Sequence, residues 1–176
     1  NLVGNAPLER AMQIEFDKLG PVIFDNQDAD FANEIRKTLT ADDIAASFQR
    51  AGRETPPDLP LCDFVAPLER PSIGGEGSTD VGDVSWVTPT VQARVATCAV
   101  GTPFHTWQTV AQGKAPAAHK GMIHAAKVMA ATATHLINSP ETLKAARDIH
   151  DQRQSTTPYV CPISSDQKPP VVEQPR

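Results

Sequence analysis

Five prolines fall within residues 53–76, RETPPDLPLCDFVAPLERPSIGGE. Proline lacks the N–H that a helix interior needs and its ring clashes with the preceding turn, so no helix can run through this stretch. Gly74-Gly75 reads as a turn near its end. The segment is a proline-rich connector or irregular insert, and LCDFVAPL within it could hold a short edge strand. It divides a helical first part from a second part of different character.

Three helices are expected before the insert. In NAPLERAMQIEFDKLG, Asn5 has the chemistry of an N-cap and Pro7 suits a first turn, while Gly20-Pro21 stops the helix. Leu8, Met12, Phe16 and Leu19 recur at helical spacing. DADFANEIRKTL places Phe31, Ile35 and Leu39 on one face. TADDIAASFQRAG has Thr40 as cap and Ile44 and Phe48 as its apolar edge. After the insert, VQARVATCAVG is an apolar, β-branched run bounded by Pro89 and Gly101. It reads as a strand largely buried on both faces. KGMIHAAKVMAATATHLIN then predicts the longest helix, beginning near Lys120, with Met122, Ala126, Met129, Ala133 and Leu136 as its buried stripe. SPETLKAARDIHDQR predicts a last helix with Ser139 as N-cap, Pro140 at the first position, and Glu141 and Asp148 exposed. From Ser155 the chain is polar and Pro-rich and is expected to be largely disordered at its end, with Tyr159 and Val160 able to tack it down. The expected fold class is α/β: residues 1–154 are helices packed on a few sheet strands, and residues 155–176 are a tail.

Bulk properties narrow the function. The chain of 176 residues has 16 Lys and Arg against 21 Asp and Glu, a net charge of -5. That composition disfavours nucleic acid as a partner. No apolar run is long enough to span a bilayer, and no basic-then-apolar leader is present. Cys62, Cys98 and Cys161 are odd in number and widely spaced, which is neither a disulfide framework nor a CxxC metal motif. A reducing cytoplasm follows as the expected location.

Two histidines fall in PFHTWQTVAQGKAPAAHKGM. His119 immediately before a helix could ligate a metal or stabilise an oxyanion; the commoner role for such a residue is an exposed loop histidine, and His105 has the same two readings. His124, His135 and His150 fit surface or half-buried helix positions. GSTDVGDVSW holds Asp80 and Asp83 among glycines, where carboxylates can bind metal, act as base or cap a helix. No GxSxG elbow and no phosphate loop occurs. Trp86 and Trp107 either line a pocket or plug the space beneath these loops.

GSTDVGDVSW, then ATCAVGTPFHTWQ, then AQGKAPAAHKGMIHAAKVMAATA together resemble the metal-dependent aminoacylase, carboxypeptidase and amidohydrolase superfamily. NLVGNAPLERAMQIEFDKLGPVIFDNQDADFA and PYVCPI add to the resemblance. It implies a C-terminal portion of a catalytic domain with two divalent ions, zinc or manganese, and with the lid domain that mediates dimerisation absent. His119 matches a late metal-ligating histidine. Ser78, Thr79 and Asp80 match a loop near substrate, and His105 and Trp107 match a GHSW-like loop in which Phe104 replaces a small residue. The remaining ligands and the catalytic glutamate are expected upstream of Asn1, in a missing N-terminal half, with a second subunit and a dimeric complete protein as partners. The implied reaction is hydrolysis of an amide in an N-acyl or aminobenzoyl amino acid, this chain alone being inactive. The competing reading is a non-catalytic truncated paralogue that binds small acids or partners.

Overall fold

The computed structural model describes residues 2–53, 58–69 and 79–168. Seven helices occur among them: α1 (Ala6–Leu19), α2 (Asn26–Arg36), α3 (Ala41–Arg50), α4 (Val81–Val87), α5 (Trp107–Gln112), α6 (Pro116–Ile137) and α7 (Pro140–Thr156). The expected turn at Gly74-Gly75 and disorder over 169–176 lie outside the described residues.

The expected α/β class is overturned. The described residues contain helices and no strand. Residues 91–97, expected to be a buried strand, are neither helix nor strand, and their exposure runs in near alternation, with Gln92, Arg94 and Thr97 outward. None of their backbone N–H or C=O groups finds a hydrogen-bond partner among the described residues. The segment thus has the composition and side-chain alternation of a strand but not the ladder, because a strand exists only as one member of a pair. LCDFVAPL is likewise not a strand; Val100 N donates to the carbonyl of Pro60, just before it, at 2.9 Å, and Leu61 shares an apolar cluster with Ala99.

The caps expected on α1 and α3 form, whereas Ser139, expected to cap α7, takes the N-cap position without a side-chain cap bond. Asn5 is buried and does two jobs. Its Oδ1 accepts from Leu8 N at 3.4 Å to cap α1, and its Nδ2 donates to the Ala146 carbonyl of α7 at 2.9 Å. Gly20 closes α1 at φ 71°, a left-handed value that suits glycine. Asp25 and Asp28 form a reciprocal capping box on α2, and Thr40 and Asp43 form one on α3. Phe48 is almost completely buried on α3, which stabilises by about 1.5–3 kcal/mol.

α1 packs against α6 and α7. The partly buried Glu15–His135 pair crosses the α1–α6 contact, with Nδ1 to Oε1 at 2.8 Å. Lys18, hydrogen-bonded to Glu15, and then His135 hold the Glu15 carboxyl below its ordinary range. A separate apolar cluster joins α2 to the first turn of α6: Ala32, Ile35, Leu61, Ala99 and Ala117, with Phe24 against it. Lys120 bridges the same two helices, its Nζ donating to Asp25 at 2.7 Å and to Asp28.

The expected buried stripe of α6 is also overturned. Met122, Ala126, Met129 and Ala133 face outward, with Leu136 half-buried, while Ala117, Gly121, Val128 and Thr132 face inward. Gly121 decides this. A Cβ there would lie 2.1 Å from the Ala96 carbonyl oxygen and 2.8 Å from Thr97 Cγ2. Only glycine lets the helix backbone meet that of residues 96–97. Gly121→Ala is therefore expected to lower stability by about 1–3 kcal/mol in urea unfolding. A Cβ at Gly113 would meet its nearest atom at 3.5 Å, so Gly113→Ala should stay within about 0.5 kcal/mol of the parent.

Candidate functional site

α6 begins at Pro116, four residues before the Lys120 start expected from the sequence, and Ala115 at the N-cap position makes no side-chain cap bond. Pro116 sits at a first helical position, where its missing N–H costs nothing. His119 is therefore inside the first turn rather than in a preceding loop, and its side chain is exposed. Its neighbour Lys120 is held by Asp25 and then Asp28, which raise its pKa above the ordinary lysine value. That cation is already matched by two carboxylates.

His105 lies in a tightly laced turn. Gln112 is buried on the short helix α5. Its Oε1 accepts from Ala99 N at 2.7 Å, and its Nε2 donates to Thr102 Oγ1 and to the Gln108 carbonyl, each at 3.0 Å. The Thr106 and Thr109 hydroxyls both donate to the Pro103 carbonyl, at 2.8 and 2.7 Å. Within this frame His105 adopts φ 62°, the one positive value at a non-glycine among the described residues. Histidine enters that region more readily than most residues, yet the conformation still needs surrounding bonds to hold it. Sequence reading treats the whole stretch as loop and passes over Gln112, whose only signal is an amide four residues after Gln108.

Phe104, His105 and Trp107 all project outward from this turn, Trp107 at 59 % exposure. Trp107 therefore plugs nothing among the described residues. Trp86 is different. Its carbonyl accepts from His150 Nε2 at 3.3 Å and from Gln154 Nε2, and its ring lies 6.4 Å from that of Tyr159 at 27°. His150 is buried and structural. His124 is partly buried beside Phe16, with rings 6.4 Å apart, and its buried Nε2 has no partner among the described residues.

Of the expected substrate loop, Ser78 lies outside the described residues. Thr79 and Asp80 are exposed just before α4. Asp80 takes the N-cap position without a side-chain cap bond, and Thr79 Oγ1 accepts from Val81 N at 3.3 Å. α4 is anchored elsewhere than the His105 turn: Val3 N donates to Ser85 Oγ at 2.8 Å, and Trp86 bonds to α7. Among the described residues no hydrogen bond, ion pair or ring contact joins Thr79, Asp80, His105, Trp107 and His119 to one another. Nor, among the described residues, is there a group of three or more His, Cys, Asp or Glu side chains that could hold a metal ion. A cleft of about 460 Å³ includes Met12, Phe16, Arg50, Phe64 and His124 in its walls and none of those five candidates.

Comparison with known proteins bears on these exposed groups. The chain is 39% identical over 179 aligned positions to a subunit of p-aminobenzoyl-glutamate hydrolase from Escherichia coli (strain K12). This chain is similar to part of a hydrolase subunit. The match covers 94% of the chain but 36% of the relative. The sequence therefore spans about a third of the relative's length. No family model matches, and no solved structure matches. Among the described residues no helix is long and apolar enough to cross a membrane.

The tail contact yields a pH prediction. Tyr159 O–H donates to Asp83 Oδ1 at 2.9 Å, and the carboxylate pushes the phenol up to about 12. A raised tyrosine pKa stabilises the folded protein below the unfolded value near 10, and that contribution disappears as pH climbs through the folded value. Near-ultraviolet titration should show the tyrosinate appearing at about pH 12. In Asp83→Asn the midpoint should fall back toward 10.

Proposed function

We propose that this chain works as the C-terminal part of a metal-dependent amidohydrolase that cleaves the amide bond of an aminobenzoyl or N-acyl amino acid such as p-aminobenzoyl-glutamate. The observation that carries the reading is the 39% identity extending over 94% of the chain to a p-aminobenzoyl-glutamate hydrolase subunit. The implied cofactors are two divalent ions, zinc or manganese. The described residues do not form a site for them: the donors are dispersed, and a lone imidazole binds such ions weakly against the three or four ligands that protein sites supply. No hydrolytic step follows from these residues alone. The reading assigns the other ligands, and the general base that water activation requires, to polypeptide corresponding to the rest of the relative. His119 offers one ring nitrogen from a helical turn anchored by Ala117 and Lys120. Thr79, Asp80, His105 and Trp107 are the polar and aromatic groups available to substrate.

The backbone at His105 favours a second distribution of roles. A left-handed, exposed histidine fixed by Gln112 and two threonine hydroxyls is the kind of strain that persists where an imidazole must be aimed. In that version His105 ligates and His119 stands beside it.

Both versions are tested in a chimera in which this chain replaces the aligned region of the E. coli protein. The chimera should hydrolyse p-aminobenzoyl-glutamate and carry metal, while the isolated chain should do neither. His119→Ala should lower both metal content and kcat/KM, the latter by more than about 100-fold, beyond what removing an outer partner of a ligand costs. Full activity and metal in His119→Ala, with loss in His105→Ala, would select the second version. Full activity in both variants would remove the assignment.

A further inference from the structure

α6 is apolar on two sides, and the structure covers one. Inward lie Ala117, Gly121, Val128 and Thr132. On the side away from them Met122 and Met129 are each 61% exposed, Ile123 is 53% and Ile137 is 76%. Ala126 and Ala130 lie between them and are also exposed. At 3.6 residues per turn these positions form a single stripe, about 27 Å long from His119 to Ile137. It carries no Asp, Glu, Lys or Arg. His119, at its N-terminal end, is its one titratable group. Soluble surfaces rarely leave so long an apolar strip uncovered, and charge depletion is what marks the centre of an interface.

We infer that this outward face of α6 is the seat of a polypeptide surface of matching apolar chemistry, supplied by the portion of the hydrolase subunit that has no counterpart in this chain. The identity of the occupant follows from the comparison. The aligned region includes α6 and makes up 36% of the relative, so in that protein the same helix lies inside a much longer chain. The centre of this face is Met, Ile and Ala, with the exposed Lys127 at its edge, the charge-depleted centre and charged margin of a buried contact. Exposed alanines at 126 and 130 let another element approach closely, and the methionines fill what remains. Seating that surface would also enclose His119, which this structure leaves in the open. The inference rests on the amidohydrolase reading for its occupant and makes a separate claim about where that occupant sits.

Methionine oxidation tests it without a mutation. Hydrogen peroxide is added to the isolated chain and to the chimera with the E. coli protein, and sulfoxide formation is followed by mass spectrometry at each methionine. Met12, buried at 7% exposure in α1, is the internal reference. In the isolated chain Met122 and Met129 should oxidise about tenfold or more faster than Met12, because oxidation follows exposure. In the chimera both should slow to roughly the rate of Met12. Undiminished oxidation in a folded chimera overturns the inference. So does slow oxidation in an isolated chain that sediments as a dimer, which would make a second copy the occupant. A chimera that cannot be recovered folded where the unmodified relative can also overturns it. Hydrolysis measured on the same samples separates the two claims. Protection without hydrolysis upholds the docking face and removes the enzymatic reading, whereas hydrolysis without protection does the reverse.

Discussion

Gly121 brings the backbone of α6 against the carbonyl of Ala96, closer than any side chain would permit. That approach fixes the rotation of the longest helix, and most of the structure follows from it. With Gly121, Val128 and Thr132 turned inward, His135 meets Glu15 on α1. Ala117 joins the cluster with Ala32, Ile35, Leu61 and Ala99. Lys120 reaches the capping box of α2, so a bond that ends one helix also holds another. By the same rotation His119 and the methionine stripe are turned to solvent.

Helix ends were legible wherever the signal is local. Asn5, Pro7 and Gly20 bracket α1, and Thr40 starts α3, because a cap is chemistry between residues three or four apart. The same logic shows what was overlooked. Asp25 and Asp28 form a box that places the start of α2 ahead of the expected segment, and Pro116 marks the start of α6 as Pro7 marks that of α1. α5 was out of reach for a different reason. Six residues, WQTVAQ, span fewer than two helical turns and show no period of their own, and Gln112 holds them through bonds to Ala99 and Thr102 that no local reading supplies.

Two expectations failed together, and for related reasons. Residues 91–97 have strand composition, and Met122, Ala126, Met129 and Ala133 have the spacing of a buried stripe. Composition and spacing state what a segment would pack against, and they cannot supply the partner. The described residues offer no ladder to the first, and the second is exposed because Gly121 claims the opposite face. Of the candidate site, the sequence singled out residues that are exposed on two separately anchored corners: Thr79 and Asp80 at α4, and His105, Trp107 and His119 around α5 and α6. Their exposure is what a chain similar to a third of a hydrolase subunit should display if the reacting centre is assembled from more polypeptide than these helices provide.

The most direct measurement of that account is an anomalous-diffraction map of the complete hydrolase chimera grown with zinc. The account predicts a metal peak about 2.0–2.1 Å from an imidazole nitrogen belonging to the corner between residues 105 and 119. Metal peaks ligated wholly by residues outside this chain, with both His119 and His105 facing solvent, would contradict it.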